Sequence, residues 1–426
     1  MEEKNTGKII PYDCIVIGAG PSGLMSSITA ARNGADVIVI EHRDKPLKKL
    51  YATGNGRCNF TNLYMDEKVY RGNDPSFAYN ALKLFGRNEL LGFMHGLGLM
   101  TKSIGDYVYP YNEQARAVAD VLLLECRRLG IDIRCGEEVV DITHDDMYSV
   151  STHTHTYRSR KLIFAAGGKA SPAHGSDGSV NKFLRSFGHN IILQQPALVP
   201  LEFSDRKLSK LAGVRVKCAV LLTVDGDTVS AEQGEIIFNK DNISGIPVMQ
   251  VSRYAVSALA KKQEVSVVID LFPDKGIDEL LSYLKSAFMG CYGEEGGRQY
   301  RDVKRDKTAA EALGLCLNEK LAKYCLGEVN ISARSLAGSC SDKKLGQLAL
   351  LLKGMEVMII SDAGYDRAQV TAGGVDVSEL TEDMESRMVP GLFVVGELCD
   401  IDGTCGGYNL QWAFTSGYIA GKNIDH

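Results

Sequence analysis

The chain has 426 residues, with 48 lysines and arginines against 53 aspartates and glutamates and a net charge of −5. That balance gives no general attraction to nucleic acid or to an anionic membrane surface. No uninterrupted apolar run approaches the roughly 18 residues a bilayer span needs, and the length predicts two or three domains rather than one small core.

In chain order, residues 1–10 lack the apolar core of a secretory signal. Asp13-Cys14-Ile15-Val16-Ile17 then reads as a strand running into Gly18-Ala19-Gly20-Pro21-Ser22-Gly23, a G-x-G-x-x-G turn. In such a turn Gly18 permits the tight bend, Gly20 lets backbone approach a pyrophosphate and Gly23 lets the helix pack close to the strand. Pro21 suits the first helical turn, where its missing N–H costs nothing, and the free N–H groups there attract phosphate. A second strand, Val37–Ile40, ends at Glu41, 18 positions after Gly23. A carboxylate at that spacing bonds ribose hydroxyls and disfavours a 2′-phosphate.

The segment Lys48 to Asn62 carries Thr53-Gly54-Asn55-Gly56-Arg57-Cys58-Asn59, a glycine-flanked loop. Residues 75–100 and 112–130 read as helices, the second through the apolar stripe Ala115, Val118, Ala119, Leu122, Leu123. Ile131–Arg134 and Glu138–Ile142 are strand-like. Residues 148–157 alternate, placing His153 and His155 on one face of a strand. A metal would need further ligands, and the sequence offers none nearby, so the two are read as exposed hairpin histidines. Lys161–Ala165 is a third strand of the nucleotide fold and ends in Ala166-Gly167-Gly168. A polar loop follows with His174, read as a solvated loop histidine ahead of a substrate or cofactor contact, and then the helix-like Asn181–Phe187.

From residue 196 the character changes. Val214–Val224 and Gly234–Phe238 alternate around Asp225-Gly226-Asp227, a hairpin turn signal. Val265–Leu271 reads as a strand, and Ile277–Phe288 and Ala309–Cys325 as helices. Gly290 to Lys307 reads as a surface loop, because its acids and bases are mixed. Val370–Val375 returns the chain to the first fold. Gly391–Val395 is another strand, followed by Gly396-Glu397 and then by Gly406-Gly407-Tyr408-Asn409 at the start of a helix-like run.

Two glycine-rich segments at opposite ends of the chain imply one extended cofactor. A flavin requires this return, because its ribityl chain and tricyclic ring reach well beyond the first Rossmann unit; the expected cofactor is FAD. The helix beginning at Gly407, Tyr408 and Asn409 would aim N–H groups at the ring edge that becomes negative on reduction. Only one dinucleotide fingerprint is present, so a nicotinamide donor, NAD(P)H, would dock transiently at the flavin face.

These segments, with Gly234-Glu235-Ile236-Ile237-Phe238 and Ile243-Ser244-Gly245-Ile246-Pro247, resemble the HI0933-like family (also called YhiN or aminoacetone-oxidase-like) of FAD-dependent oxidoreductases. The resemblance spans nearly the whole chain. Asn55 departs from it, standing where many relatives have glycine, and asparagine also tolerates left-handed backbone. The resemblance implies an α/β fold: a Rossmann-like, glutathione-reductase-like FAD-binding domain (1–195 plus 356–426) with an inserted β-barrel-like domain (196–270 plus 326–355) and a helical cap (271–325). It places Arg57 and Asn59 at the phosphates or flavin edge, and Glu397 or Asp402 on the ribityl hydroxyls. In the wider flavoprotein class, Val139 and Val140 correspond to a strand against the adenine, and Ala166, Gly167 and Gly168 to a turn beside the pyrophosphate.

Family members are associated with NAD(P)H-dependent reduction of conjugated steroid enones in bile-acid dehydroxylation and with oxygen-dependent oxidation of aminoacetone. The expectation is a cytoplasmic FAD-dependent reductase of an activated C=C bond, such as that of a bile-acid 4,6-dienone, acting on a small molecule without nucleic acid or membrane. An amine oxidase and an RNA-linked or regulatory flavoprotein without turnover are the alternatives, and no catalytic residue is assigned. The 11 cysteines show no C-x-x-C, which favours reduced thiols over a disulfide framework. Cys399 and Cys405 are therefore read as structural, and Cys58 as packing under the flavin loop, with a lowered pKa beside Arg57 as the other option.

Overall fold

Continuous apolar runs make strands that are buried on both faces, as parallel sheets require. Cys14–Ile17 and Val37–Ile40 are such runs and are almost wholly buried. The computed structural model describes residues 9–289, 294–295, 298–299 and 307–424, in two compact units.

The first unit comprises the chain up to Ala197 together with the segment from Tyr365 onward. Its main strands are β1 (Ile9–Ile17), β2 (Val37–Glu41), β6 (Asp132–Cys135), β7 (Val139–His144), β8 (Tyr148–Thr152), β9 (Thr156–Phe164) and β10 (Leu392–Val394). A small separate sheet contains β3 (Thr61–Asn62), β4 (Thr101–Ile104) and β5 (Tyr107–Pro110). The main sheet runs β6-β2-β1-β9-β8-β7, with β10 also paired to β9. The β6/β2, β2/β1, β1/β9 and β9/β10 pairings are all parallel. Strand order therefore reverses between β1 and β9, and ligands of open α/β sheets bind beyond the carboxyl ends of the strands at that switch point. Helix α1 (Pro21–Arg32) packs against β1 and β2, and both α2 (Ala115–Leu129) and α3 (Tyr408–Lys422) pack against α1. His153 and His155 lie at the turn joining β8 to β9, where the chain reverses after Thr152, in keeping with their reading as hairpin histidines. No metal-binding cluster occurs among the described residues.

The second unit is Leu198–Gly364. Its seven-stranded antiparallel sheet includes the hairpin Arg215–Val224 and Asp227–Phe238. Asp225 and Gly226 take φ values of 51° and 88°, the left-handed pair that a two-residue hairpin turn demands. Met355–Ile359 pairs within this same sheet. The helices Ile277–Met289, Ala309–Gly314, Glu319–Glu328 and Asp342–Lys353 share one apolar core with it. The run Ala309–Cys325 is broken where Asn318 caps a new helix, its side chain accepting from Lys320 N at 3.0 Å. Most of the Gly290–Lys307 segment lies outside the described residues. Among the described residues, no helix is long and apolar enough to cross a membrane.

Candidate cofactor site

Three turns meet at the switch point. Gly18 has φ 104°, and a Cβ there would come within 2.6 Å of Ala165 O and 2.8 Å of Ala166 Cα. The turn after β1 thus rests directly on the turn after β9. At Gly23 a Cβ would stand 2.0 Å from Gly18 O, so α1 can start this close to β1 only with glycine. Gly20 differs: its missing Cβ faces open space, with only Ala165 O at 4.0 Å. Gly20 is the N-cap of α1, Pro21 opens the helix, and no side chain caps it. Ser22 lies buried beside Gly396, whose Cβ would meet Ser22 Oγ at 2.6 Å. Gly167 and Gly168 continue from Ala166, and at Gly168 a Cβ would collide with Thr371 Oγ1 at 2.3 Å.

The two carboxylates are fixed by different partners. Glu41 accepts from Ala19 N at 2.9 Å through Oε2 and from Arg43 N at 2.8 Å through Oε1. It thereby ties the end of β2 to the glycine turn. The backbone of Gly136 and Glu137 donates to Arg43 O and Glu41 O at 2.8 and 3.1 Å, which brings the approach to Val139 and Val140 beside this point. Val140 sits at a bulge in the β7/β8 pairing and is 37% exposed. Glu397 Oε1 accepts from Thr371 N at 3.1 Å and Thr371 Oγ1 at 2.9 Å, and Oε2 accepts from Lys49 Nζ at 2.6 Å. A carboxylate has about four acceptor positions, so Glu41 and Glu397 both retain capacity for a ligand hydroxyl.

The loop from Thr53 reaches the last helix. Asn55 takes φ 56°, the left-handed conformation asparagine tolerates. Arg57 pairs with Glu113 and lies 4.8 Å over the Tyr109 ring. Cys58 is fully buried. Burial pushes its thiol up to about 12, against a smaller lowering from its bond to Thr53. That corrects the option of a lowered pKa beside Arg57: the thiol is packed away from solvent. Asn59 donates to Thr61 O and Val108 O at 2.8 and 2.9 Å. Asn62 Nδ2 donates to Gly406 O at 2.9 Å, and a Cβ on Gly407 would stand 2.7 Å from Thr61 O. The loop is therefore seated on the turn that begins α3. Tyr408 is buried, and its hydroxyl donates to Tyr64 O at 3.0 Å. Asn409 clamps Gly403 with both ends of its amide, at 2.8 Å each. Asp402, 1% exposed, pairs in register with Arg71. Cys399 is fully buried, where burial raises its pKa, and no redox pair with Cys405 forms. His174 is exposed in a short 3-10 turn.

These residues fit FAD. Uncapped helix starts stand at both Gly20 and Gly407. Buried polar atoms without protein partners occur at both ends of the site: His42 Nε2 and Arg43 Nε just after Glu41, and Asn59 Oδ1 beside the Gly407 turn. Buried polar groups are almost always satisfied, and an elongated cofactor carrying hydroxyls, amides and phosphates has complementary groups along its length. The sequence reading missed Lys49 as the partner of Glu397 and Thr371 as the hydroxyl that also accepts from Lys169 N and Ala170 N at 2.7 and 2.9 Å. Both lie in segments singled out for other reasons, and only the fold brings them together.

The fold and site define a Rossmann-type flavoprotein. The family model for the HI0933-like protein Rossmann domain matches residues 12–423. The chain is 37% identical over 411 residues to a 3-dehydro-bile acid delta(4,6)-reductase of Clostridium scindens, covering 96% of this chain and 97% of that protein. It is 30% identical over 421 residues to a ribosomal RNA dihydrouridine synthase of Escherichia coli, covering 97% and 98%. Among solved structures, a 3-ketosteroid-delta4-(5alpha)-dehydrogenase from Rhodococcus jostii RHA1 aligns with TM-score 0.47 at 14% identity, over 99% of this chain and 98% of that one. The chain belongs to the HI0933-like family of FAD-dependent oxidoreductases.

Proposed function

We propose that the protein is an FAD-dependent reductase of a carbon–carbon double bond conjugated to a carbonyl, with NAD(P)H as electron donor. The acceptor is a conjugated ketone such as a 3-oxo-4,6-diene bile acid. Full-length similarity to the bile-acid reductase at 37% identity carries this reading. Similarity to the ribosomal RNA dihydrouridine synthase favours a second one, in which the acceptor is a uracil ring in RNA. The two share their bond chemistry, since dihydrouridine is uridine saturated at the double bond conjugated to its C4 carbonyl. A net charge of −5 supports the small-molecule acceptor over RNA.

When bound, FAD supplies hydride chemistry at N5. The chain's own contributions are binding and orientation. The Gly20 turn and the start of α1 would hold phosphate, Glu41 and the His42–Arg43 corner would hold the adenosine half, and Lys49, Thr371 and Glu397 would hold the ribityl region. The Gly406–Gly407 turn would offer N–H groups to the ring edge that becomes negative on reduction, as a helix start favours negative charge.

Anaerobic stopped-flow tests the proposal. NADH or NADPH should bleach the bound flavin, and a steroid dienone should then restore its colour without oxygen, with ping-pong kinetics. Rapid reoxidation by oxygen alone, together with reduction by amines, would make the protein an amine oxidase instead.

A further inference from the structure

The reductase reading leaves the source of the proton open, and one side chain beside the glycine turn answers to the need. Tyr107 on β5 is paired with Asn62 on β3 and with Ile104 on β4. Directly paired residues of an antiparallel ladder point to the same face. Accordingly, both Asn62 and Tyr107 reach Gly406: a Cβ there would lie 3.0 Å from Asn62 Nδ2 and 3.1 Å from Tyr107 Cε1.

Several tyrosines gather at this turn, and their hydroxyls are differently engaged. Tyr70 donates to Tyr408 O at 3.1 Å, Tyr408 to Tyr64 O at 3.0 Å and Tyr64 to Asp66 at 3.0 Å. Arg57 covers the Tyr109 ring. The Tyr107 hydroxyl has no hydrogen-bond partner among the described residues, and the side chain is half-buried rather than sealed. It is a donor held beside the proposed flavin edge with no acceptor among the described residues.

We infer that Tyr107 is the acid that protonates the substrate α-carbon after the β-carbon has received hydride; this rests on the reductase reading above. The hydride comes from reduced FAD, recharged by the reduced nicotinamide. In the proton step the enolate's electron pair forms the new C–H bond and the Tyr107 O–H bond breaks. The phenolate left behind is reprotonated from solvent. Burial raises the Tyr107 pKa, and Cys405, Tyr109 and Asp106 push in the same direction. Tyr408 is the other titratable group facing it, from the start of α3. A phenol so placed stays protonated through neutral pH, as an acid must, and an enolate carbon is basic enough to take its proton.

The test is Tyr107→Phe in the FAD-loaded protein, with each half-reaction followed separately. Reoxidation by the conjugated acceptor should slow by about 100-fold or more, the scale of a lost general acid. Flavin reduction by the nicotinamide and the FAD dissociation constant should each change by less than about twofold, since general acid catalysis acts only in the step that moves the proton. FAD binding can be read from quenching of Trp412, the chain's single tryptophan. As a second arm, 3-fluorotyrosine at position 107, a more acidic phenol, should move the alkaline limb of the reoxidation profile to lower pH. Unchanged reoxidation by Tyr107→Phe, an unmoved limb, or a loss explained by weakened FAD binding would overturn the assignment while leaving the reductase reading intact. A wild-type protein that reduces no conjugated acceptor would overturn the reductase reading itself.

Discussion

Lys49 and Glu397 meet across 348 positions of sequence at 2.6 Å, with side chains 23% and 18% exposed. Partial burial strengthens such a pair relative to a surface one, and Thr371 fixes the carboxylate from the other side. If the pair acts as one unit on the ribityl region, Lys49→Met and Glu397→Gln should each weaken FAD binding by about 10-fold. The double variant should be no weaker than the worse single one, as coupled sites behave in a mutant cycle. Additive losses in a Trp412 quenching titration would refute the unit. A second residue reports on pH. Glu125 is 6% exposed and accepts from Arg128 at 2.7 and 2.8 Å and from Arg32 at 2.9 and 2.7 Å. The Arg128 bonds above all, with those of Arg32, hold its carboxyl down to about 2, against an ordinary 4.5. A depressed folded pKa gives stability that is complete above the unfolded value and is lost as pH falls through the folded one. Glu125→Gln should therefore cost about 1.5–3 kcal/mol at neutral pH, and the gap to wild type should close between pH 4.5 and about 2 in urea unfolding.

Elements differed in how plainly the sequence announced them. The β1–turn–α1 unit was fully legible because glycine spacing, an apolar run and an acidic strand end all point to one structure. The hairpin at Asp225-Gly226 was legible for the same reason. Ile246–Ala260 was not read as a helix, although Pro247 opens it. Its early residues are almost all apolar, so they give no period to separate helix from buried strand. The site was legible as segments, whereas the partners of Arg57 and Glu397 depend on chain crossings that no local pattern encodes. The α1/α3 contact shows the same limit. Gly417 and Gly421 stand one turn apart, and a Cβ on either would come within 2.3 Å of Ser22 O or Ser26 O. Small residues on both helices thus set how close α3 lies to the Gly18–Gly23 turn. Gly421→Ala should force the helices apart at a cost of about 1–3 kcal/mol, typical of overpacking. Gly417→Ala, nearer the turn, should weaken FAD retention as well. Denaturant unfolding and flavin titration of both variants check this, and full retention of FAD by Gly417→Ala would mean that α3 does not position the turn.

The charge of the whole molecule bears on which conjugated carbonyl is the acceptor. A protein that grips RNA by its phosphates releases counterions, so its apparent affinity falls by about 10³–10⁵ between 50 and 200 mM salt for 6–10 contacts. This chain carries more acids than bases, and its interspersed charges compose no basic stripe in the sequence. A small conjugated ketone needs no such attraction. Reoxidation of the reduced flavin by a steroid dienone should accordingly vary by less than about twofold across that salt range, while a ribosomal RNA fragment should neither bind in a salt-sensitive way nor reoxidise the flavin. Stopped-flow absorbance of the flavin, with filter retention of labelled RNA at both salt concentrations, measures the two together. If the RNA fragment reoxidises the flavin, loses affinity steeply with salt and yields dihydrouridine while the dienone is ignored, the acceptor is a uracil ring. The bond reduced would still be conjugated to a carbonyl, and the proton would still have to come from beside the Gly406 turn.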